Sequence, residues 1–335
     1  MKFILKVALC ICLFQSCSSK SQKINGISFV AAGEPTTQAQ IEKVKNVHAN
    51  YAAVMPFAFI RNLEAPTLFF NTERQWYGER REGVKQYIES LHANDIKVML
   101  KPQIWIWRGE FTGYLKMATE KEWQTLENSY REFILLYAEL AAETDVNLFC
   151  IGTELEQFIV HRPEYWNNLI TEVKEIYKGK LTYAANWDEY KRVPFWKQLD
   201  YIGVDAYFPV SEEKTPEIVD AQRGWQPWKI EMQKVSEAHG KPILFTEYGY
   251  RSVDFAGKEP WKSDRDMIEV NLTAQVNLTQ ALFNEMYHEP WFAGGFIWKW
   301  FIAHDKVGGP ENSQFTPQNK PAEETIKNFF KHLKD

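Results

Sequence analysis

Cysteine is scarce in this 335-residue chain: there are four, and Cys10, Cys12 and Cys17 all fall at the very beginning. If that leading stretch is removed, Cys150 alone remains, inside an apolar run, which excludes a disulfide-stapled fold even for an exported protein. Histidine is almost as rare, with 7 residues and none at the strand ends read below, so no metal cluster is expected there. No Gly-x-Gly-x-x-Gly follows a first apolar run and no phosphate loop is present, which argues against an open dinucleotide- or nucleotide-binding sheet. No serine sits in a Gly-x-Ser-x-Gly turn. No basic block occurs and the net charge is −5, so nucleic acid is not an expected partner. Internal linkers, low-complexity stretches and long repeats are absent too, and no cofactor is expected.

What is present begins with an export signal. Lys2 and Lys6 precede an apolar core, Val7 to Phe14, that is too short to span a bilayer. It runs into Leu13-Phe-Gln-Ser16-Cys17, which resembles a bacterial lipoprotein processing site, with Phe14 where leucine is usual. The expectation is a lipoprotein signal peptide over 1–17, a lipid anchor on Cys17 and a polar tether over 18–23. An ordinary cleaved signal is the alternative. The tether begins Ser-Ser-Lys and lacks an acidic run, which favours a periplasm-facing anchor in the cell envelope. A monomer is expected.

From residue 24 the sequence alternates strand and helix to the end. Apolar runs predict strands over 24–30, 51–60, 96–106, 148–152, 180–187, 201–208, 242–247 and 294–301. Helical periodicity lies between them, over 38–49, 84–93, 120–144, 164–177, 228–239 and 263–287, with a closing helix over 322–333. Eight strands separated by helices predict a single (β/α)₈ TIM barrel over 24–335.

A barrel of this kind presents its site at the C-terminal ends of the strands. Those ends supply Arg61, Lys101, Gln103, Trp105, Glu154, Asn186, Trp187, Asp205, Tyr207, Glu247 and Trp298. Two apolar runs break directly into a carboxylate, Leu148-Phe-Cys-Ile-Gly-Thr-Glu154 and Ile243-Leu-Phe-Thr-Glu247. One such glutamate could close a salt bridge at the rim. Two, among indoles and amides, suit glycoside hydrolysis, in which one carboxyl acts as acid/base and the other as nucleophile or base. The 13 Trp residues suggest stacking surfaces for sugar rings as well as core.

Four strand-end motifs carry a resemblance: Ile151-Gly-Thr-Glu-Leu155, Gly203-Val-Asp-Ala-Tyr-Phe-Pro209, Thr246-Glu-Tyr-Gly-Tyr250 and Gly295-Phe-Ile-Trp298. With the tail Phe315-Thr-Pro-Gln-Asn-Lys-Pro-Ala-Glu323, they resemble the retaining glycoside hydrolases of clan A, and more narrowly family 113, whose characterised members are β-mannanases. The resemblance implies that Glu154 is the acid/base and Glu247 the nucleophile. It implies that Tyr207 hydrogen-bonds the nucleophile, with Arg61 as a further candidate donor, and that Trp298 floors the subsite where the bond breaks. Thr153 stands where many clan members have the asparagine that binds the sugar 2-hydroxyl, so that contact falls to Thr153 or to another group such as Asn186. Lys101, Gln103, Trp105, Asn186, Trp187 and Asp205 are expected to bind substrate. The implied substrate is a β-linked glycan of the β-1,4-mannan type. The alternatives are a retaining hydrolase of another β-glycan, a non-catalytic sugar-binding barrel, or a structural envelope lipoprotein.

Overall fold

The computed structural model describes residues 22–263 and 269–333. The signal and the Cys17 anchor site lie outside the described residues, as do positions 18–21 of the tether. In chain order the elements are β1 (Ile24–Val30), α1 (Gln38–Asn46), β2 (Tyr51–Val54), β3 (Phe57–Ile60), α2 (Arg81–His92), β4 (Lys97–Leu100), β5 (Gln103–Ile106), α3 (Glu120–Glu143), β6 (Leu148–Thr153), α4 (Glu156–His161), α5 (Pro163–Ile176), β7 (Lys180–Asn186), β8 (Ile202–Asp205), α6 (Ile218–His239), β9 (Ile243–Tyr248), α7 (Leu272–Met286), β10 (Phe292–Phe301) and α8 (Pro321–His332). Eight of the strands close a parallel barrel in the order β1, β2, β4, β6, β7, β8, β9, β10 and back to β1. The predicted TIM barrel is therefore the fold. Among the described residues no helix is long and apolar enough to cross a membrane.

Two layers of core hold the barrel. Inside it, Ile24, Ala53, Met99, Leu148, Cys150, Ala184, Leu244 and Phe296 form an apolar plug. Outside it, the opposite faces of the same strands meet the helices in one continuous apolar layer. Trp166, Trp196, Trp225 and Trp300 are fully buried, so part of the tryptophan surplus is core rather than sugar platform.

The structure differs from the sequence reading where prolines intervene. The runs 51–60 and 96–106 are not single strands: each breaks at a proline, Pro56 and Pro102, and the second halves pair separately as β3 with β5. Lys97, Lys101 and Gln103 send their N–H groups to the preceding strand, at Asn50, Val54 and Pro56. The alternation puts the missing N–H of Pro102 on the side of β6, where pairing stops at Leu100 and Phe149. The β3–β5 ribbon thus leaves the barrel. Helix α6 departs in the opposite sense, running through Pro227 and starting at Ile218, ten residues before the predicted 228. Burial of Ala221 and Trp225 outweighs the one lost hydrogen bond. Helix α7 starts at Leu272, where the Asn271 side chain caps the Ala274 N–H at 3.0 Å; residues 264–268 of the predicted helix lie outside the described residues.

Candidate active site

The floor of the mouth is a charge cluster. Asp205, at the end of β8, stands in register with Glu247 of β9, and the Ala206 N–H clamps the two ends by donating to the Glu247 carbonyl at 2.7 Å. Lys101, at the end of β4, reaches across to both carboxylates. Its Nζ donates to Asp205 at 3.1 and 3.2 Å and to Glu247 Oε1 at 2.5 Å. Glu247 Oε1 also accepts from Gln103 Nε2 at 3.0 Å, and Oε2 accepts from the Tyr207 hydroxyl at 2.9 Å. Three donors on one carboxylate is the set an ionised group takes.

Lys101 and Asp205, expected among the substrate-binding residues, have side chains 0% and 1% exposed. They lie behind Glu247 and act on it rather than on a ligand. Burial alone would favour a neutral lysine, but the charges of Asp205 and Glu247 overcome it and hold Lys101 above the ordinary lysine value. Burial, and then the charge of Glu247, push Asp205 up to about 7. Arg61 is not a donor to Glu247: it is exposed, just beyond β3 on the ribbon that Pro56 and Pro102 divert from the barrel.

Lys101→Met should therefore cost about 3–5 kcal/mol, the scale for leaving buried charges without their partner. The loss should depend on pH. A carboxyl whose pKa is raised by folding binds its proton more tightly in the folded state. Its contribution is full below the ordinary aspartate range near pH 4 and is lost as pH rises through about 7. Without Lys101 the loss on the alkaline side deepens, so urea melts should separate variant from wild type more at pH 8 than at pH 5. An equal gap at both would show that Lys101 only fills space.

Glu154 meets the cluster from β6. A register shift between Cys150 and Thr153 ends that strand, and Glu154 follows with a left-handed φ of 51°, uncommon for a residue with a Cβ. The Thr153 hydroxyl oxygen is buried there, beside the Cys150 thiol. The left-handed turn is held on both sides. The Glu154 N–H donates to the Ala184 carbonyl at 2.8 Å, and the Leu155 N–H donates to the Tyr183 hydroxyl at 2.5 Å. That hydroxyl donates in turn to Glu189 Oε1 at 2.8 Å, and Glu189 Oε2 accepts the Asn186 N–H at 2.9 Å. Burial, and then the negative charges of Asp205 and Glu247, push the Glu154 carboxyl well above the usual carboxylate range, with Lys101 opposing. Burial also raises Glu189, to about 8.

Tyr183 and Glu189 were not singled out from the sequence. Tyr183 reads as one more apolar residue of a strand, and Glu189 sits beside Asp188 with nothing to mark it as buried. Tyr183→Phe removes the hydroxyl that joins Leu155 to Glu189. The expected results are about 1–3 kcal/mol of destabilisation from the two unpaired buried groups and up to about 10²-fold lower kcat from a displaced Glu154. Melting and steady-state kinetics check both, and unchanged kcat beside a lowered Tm would make Tyr183 a purely structural residue.

Around the cluster stand the groups that could line a glycan. Trp298 is half-buried at the mouth end of β10, and its carbonyl comes so close to Gly249 that a Cβ there would lie 2.4 Å from it. That contact explains the glycine after Glu247-Tyr248. Trp187 stacks on Trp261 with ring centres 5.2 Å apart, and Asn186 turns its Oδ1 to the Trp187 N–H at 2.9 Å. Trp105 is 49% exposed, on the β3–β5 ribbon. Glu156, two residues beyond Glu154, is paired with Arg192, and Asp205 is shut behind Glu247.

A (β/α)₈ barrel with a carboxylate pair among indoles, amides and a tyrosine at its C-terminal mouth defines a glycoside hydrolase. The chain belongs to Glycoside Hydrolase Family 113, whose sequence profile matches residues 31–320. Among solved structures it is similar to the GH113 β-mannanase AaManA from Alicyclobacillus acidocaldarius in complex with ManMIm. The identity is 25%, with a TM-score of 0.81 over 93% of this chain and 98% of that one. A GH113 β-1,4-mannanase complex shares the fold at 22% identity, with a TM-score of 0.80 over 92% and 99% of the two chains. A family 5 mannosidase from Rhizomucor miehei shares it at 11% identity, with a TM-score of 0.63 over 93% of each. No curated protein matches the sequence.

Proposed function

We propose that the protein is a retaining β-glycoside hydrolase acting on β-1,4-linked, mannose-containing chains. Glu154 is the acid/base and Glu247 the nucleophile. The observation that carries this reading is the opposed environment of the two glutamates. Glu247 accepts from Lys101, Gln103 and Tyr207, which suits an ionised nucleophile. Glu154 is held by burial and like charge in the protonated form that a general acid needs.

Glu154 donates its proton to the glycosidic oxygen while Glu247 attacks the anomeric carbon. Glu154, now ionised, then takes a proton from water, and that water releases the sugar from Glu247 with its configuration retained. Tyr207 and Lys101 steady the charge on Glu247 before attack. Trp298 offers an apolar face to the sugar at the point of cleavage. The mannose part of the reading is supported by the GH113 mannanase likeness.

The experiment is digestion of mannan, glucomannan and mixed-linkage β-glucan side by side, with NMR of the first-formed anomer. Mannan-derived oligosaccharides appearing first as the β-anomer are expected. Activity on β-glucan with none on mannan would remove the mannan assignment and leave the mechanism. A first-formed α-anomer would remove the retaining mechanism.

A further inference from the structure

Beside the proposed site lies a cavity of about 310 Å³ whose lining includes Lys299, Phe301, Lys306, Asn312, Gln314 and Thr316. Its charge is one-sided: two lysines line it and no carboxylate does. Among the described residues neither lysine forms an ion pair. Lys299 is half-buried, with its Nζ 5.3 Å from the centre of the Trp298 ring and 5.1 Å from that of Phe301. Asn312 uses its carbonyl oxygen on the Gln314 N–H at 2.9 Å, so what it has left for a ligand is its NH₂ group. A half-buried ammonium without a counter-ion is costly, and a binding partner that brings negative charge removes that cost. Burial accordingly lowers the Lys299 pKa, against the pull of Glu247.

The cavity adjoins the carboxylate pair on two sides. Lys299 directly follows Trp298 on β10. Phe315, between Gln314 and Thr316, packs edge-on against Tyr207 with ring centres 6.0 Å apart, and Tyr207 donates to Glu247. A group seated in the cavity therefore belongs to a sugar at or next to the point of cleavage. The volume is at the small end for ligand pockets and suits one sugar unit with its charged substituent rather than a second chain.

We infer that this cavity binds an anionic group carried by the glycan, the carboxylate of a uronic acid unit, so that the preferred substrate is an acidic β-linked chain rather than a wholly neutral one. The inference rests on the reading of Glu154 and Glu247 as a glycosidase pair, because it assigns the anion to the substrate of that pair. Lys299 supplies the main charge and Lys306 a second one at the rim.

The test uses two ligands that differ only at C6: β-1,4-linked mannotetraose and the β-1,4-linked tetramer of mannuronic acid. Calorimetry at low salt on full-length Glu154→Gln protein, in which turnover is slowed, gives the ratio of their affinities. The acidic tetramer is expected to bind about 10-fold tighter or better, which is about 1.4 kcal/mol, and added salt should shrink the advantage. Lys299→Met in the same background should bring the ratio close to one, and Lys299→Arg should keep most of it. The ratio is internal to each variant, so a general loss of affinity cancels. Equal binding of the two tetramers by the parent overturns the inference, and so does a preference that survives Lys299→Met combined with Lys306→Met. Sodium sulfate binding as tightly as the acidic tetramer would make the cavity a free-oxyanion site and overturn its assignment to the glycan. Wild type that cleaves neither tetramer would count against the glycosidase reading, while the affinity ratio would still decide the cavity.

Discussion

Glu247→Gln is expected to abolish turnover of every β-glycoside, with a loss on the order of 10⁶-fold, the scale for removing a covalent nucleophile. The amide cannot form the glycosyl–enzyme bond, so no choice of leaving group restores the rate. Gln is the variant to make first, because it keeps a side chain of the same shape against Lys101, Gln103 and Tyr207. Glu247→Ala leaves room for a small anion in place of the carboxylate. Azide should then attack the anomeric carbon directly in that variant and give a glycosyl azide of inverted configuration. Product NMR decides the matter. Full activity in Glu247→Gln on polysaccharide would move the nucleophile elsewhere, and the structure leaves little choice: Asp205 is shut behind Glu247, and Glu156 is engaged by Arg192.

Glu154→Ala should fail unevenly. Natural sugar leaving groups need a proton, and the loss on oligosaccharides should be about 10²–10⁴-fold. Aryl glycosides with good leaving groups need little protonation, so they should still load Glu247. The intermediate then waits for a water that no base activates, and KM falls with kcat as it accumulates. Azide needs no general base, so it should speed this step and give a product of retained configuration. The pH profile follows from the same environment. As the proposed general acid Glu154 would start protonated, and burial with the charges of Asp205 and Glu247 raises its pKa. The wild-type rate should therefore fall on the alkaline side as Glu154 ionises. With activated substrates whose first step needs no acid, that alkaline limb should vanish in Glu154→Ala. A retained azide adduct from Glu247→Ala and an inverted one from Glu154→Ala would exchange the two roles.

The sequence showed the two glutamates because the information is local. An apolar run that breaks into a carboxylate marks both the strand and its polar end, and the barrel fold says which end is the mouth. The same local reading found Tyr207 as a partner of Glu247 but did not show how the other neighbours of those glutamates face. Lys101 and Asp205 also stand at strand ends, yet they face inward, and only three-dimensional pairing shows it. Arg61 stands at the end of an apolar run as well, but Pro56 and Pro102 divert that run into a side ribbon.

What the sequence by itself determined is the (β/α)₈ barrel, from eight apolar runs alternating with helical periodicity, and the presentation of Glu154 and Glu247 at the ends of β6 and β9. Both follow from nearest neighbours along the chain, because strand direction and strand end are one-dimensional properties. What only the tertiary structure decided is the chemistry assigned to the side chains around them. Lys101 meets Glu247 across 146 residues, Tyr207 meets it across 40, and Tyr183 meets Leu155 across 28. The facing of each depends on strand register, on the irregularities near Thr153 and Asp205, and on the closure of the barrel. A shift of one residue turns a side chain to the other face, and burial then decides how tightly a carboxyl holds its proton: the fold surrounds Glu154 with protein and with the charges of Asp205 and Glu247, which raises its pKa.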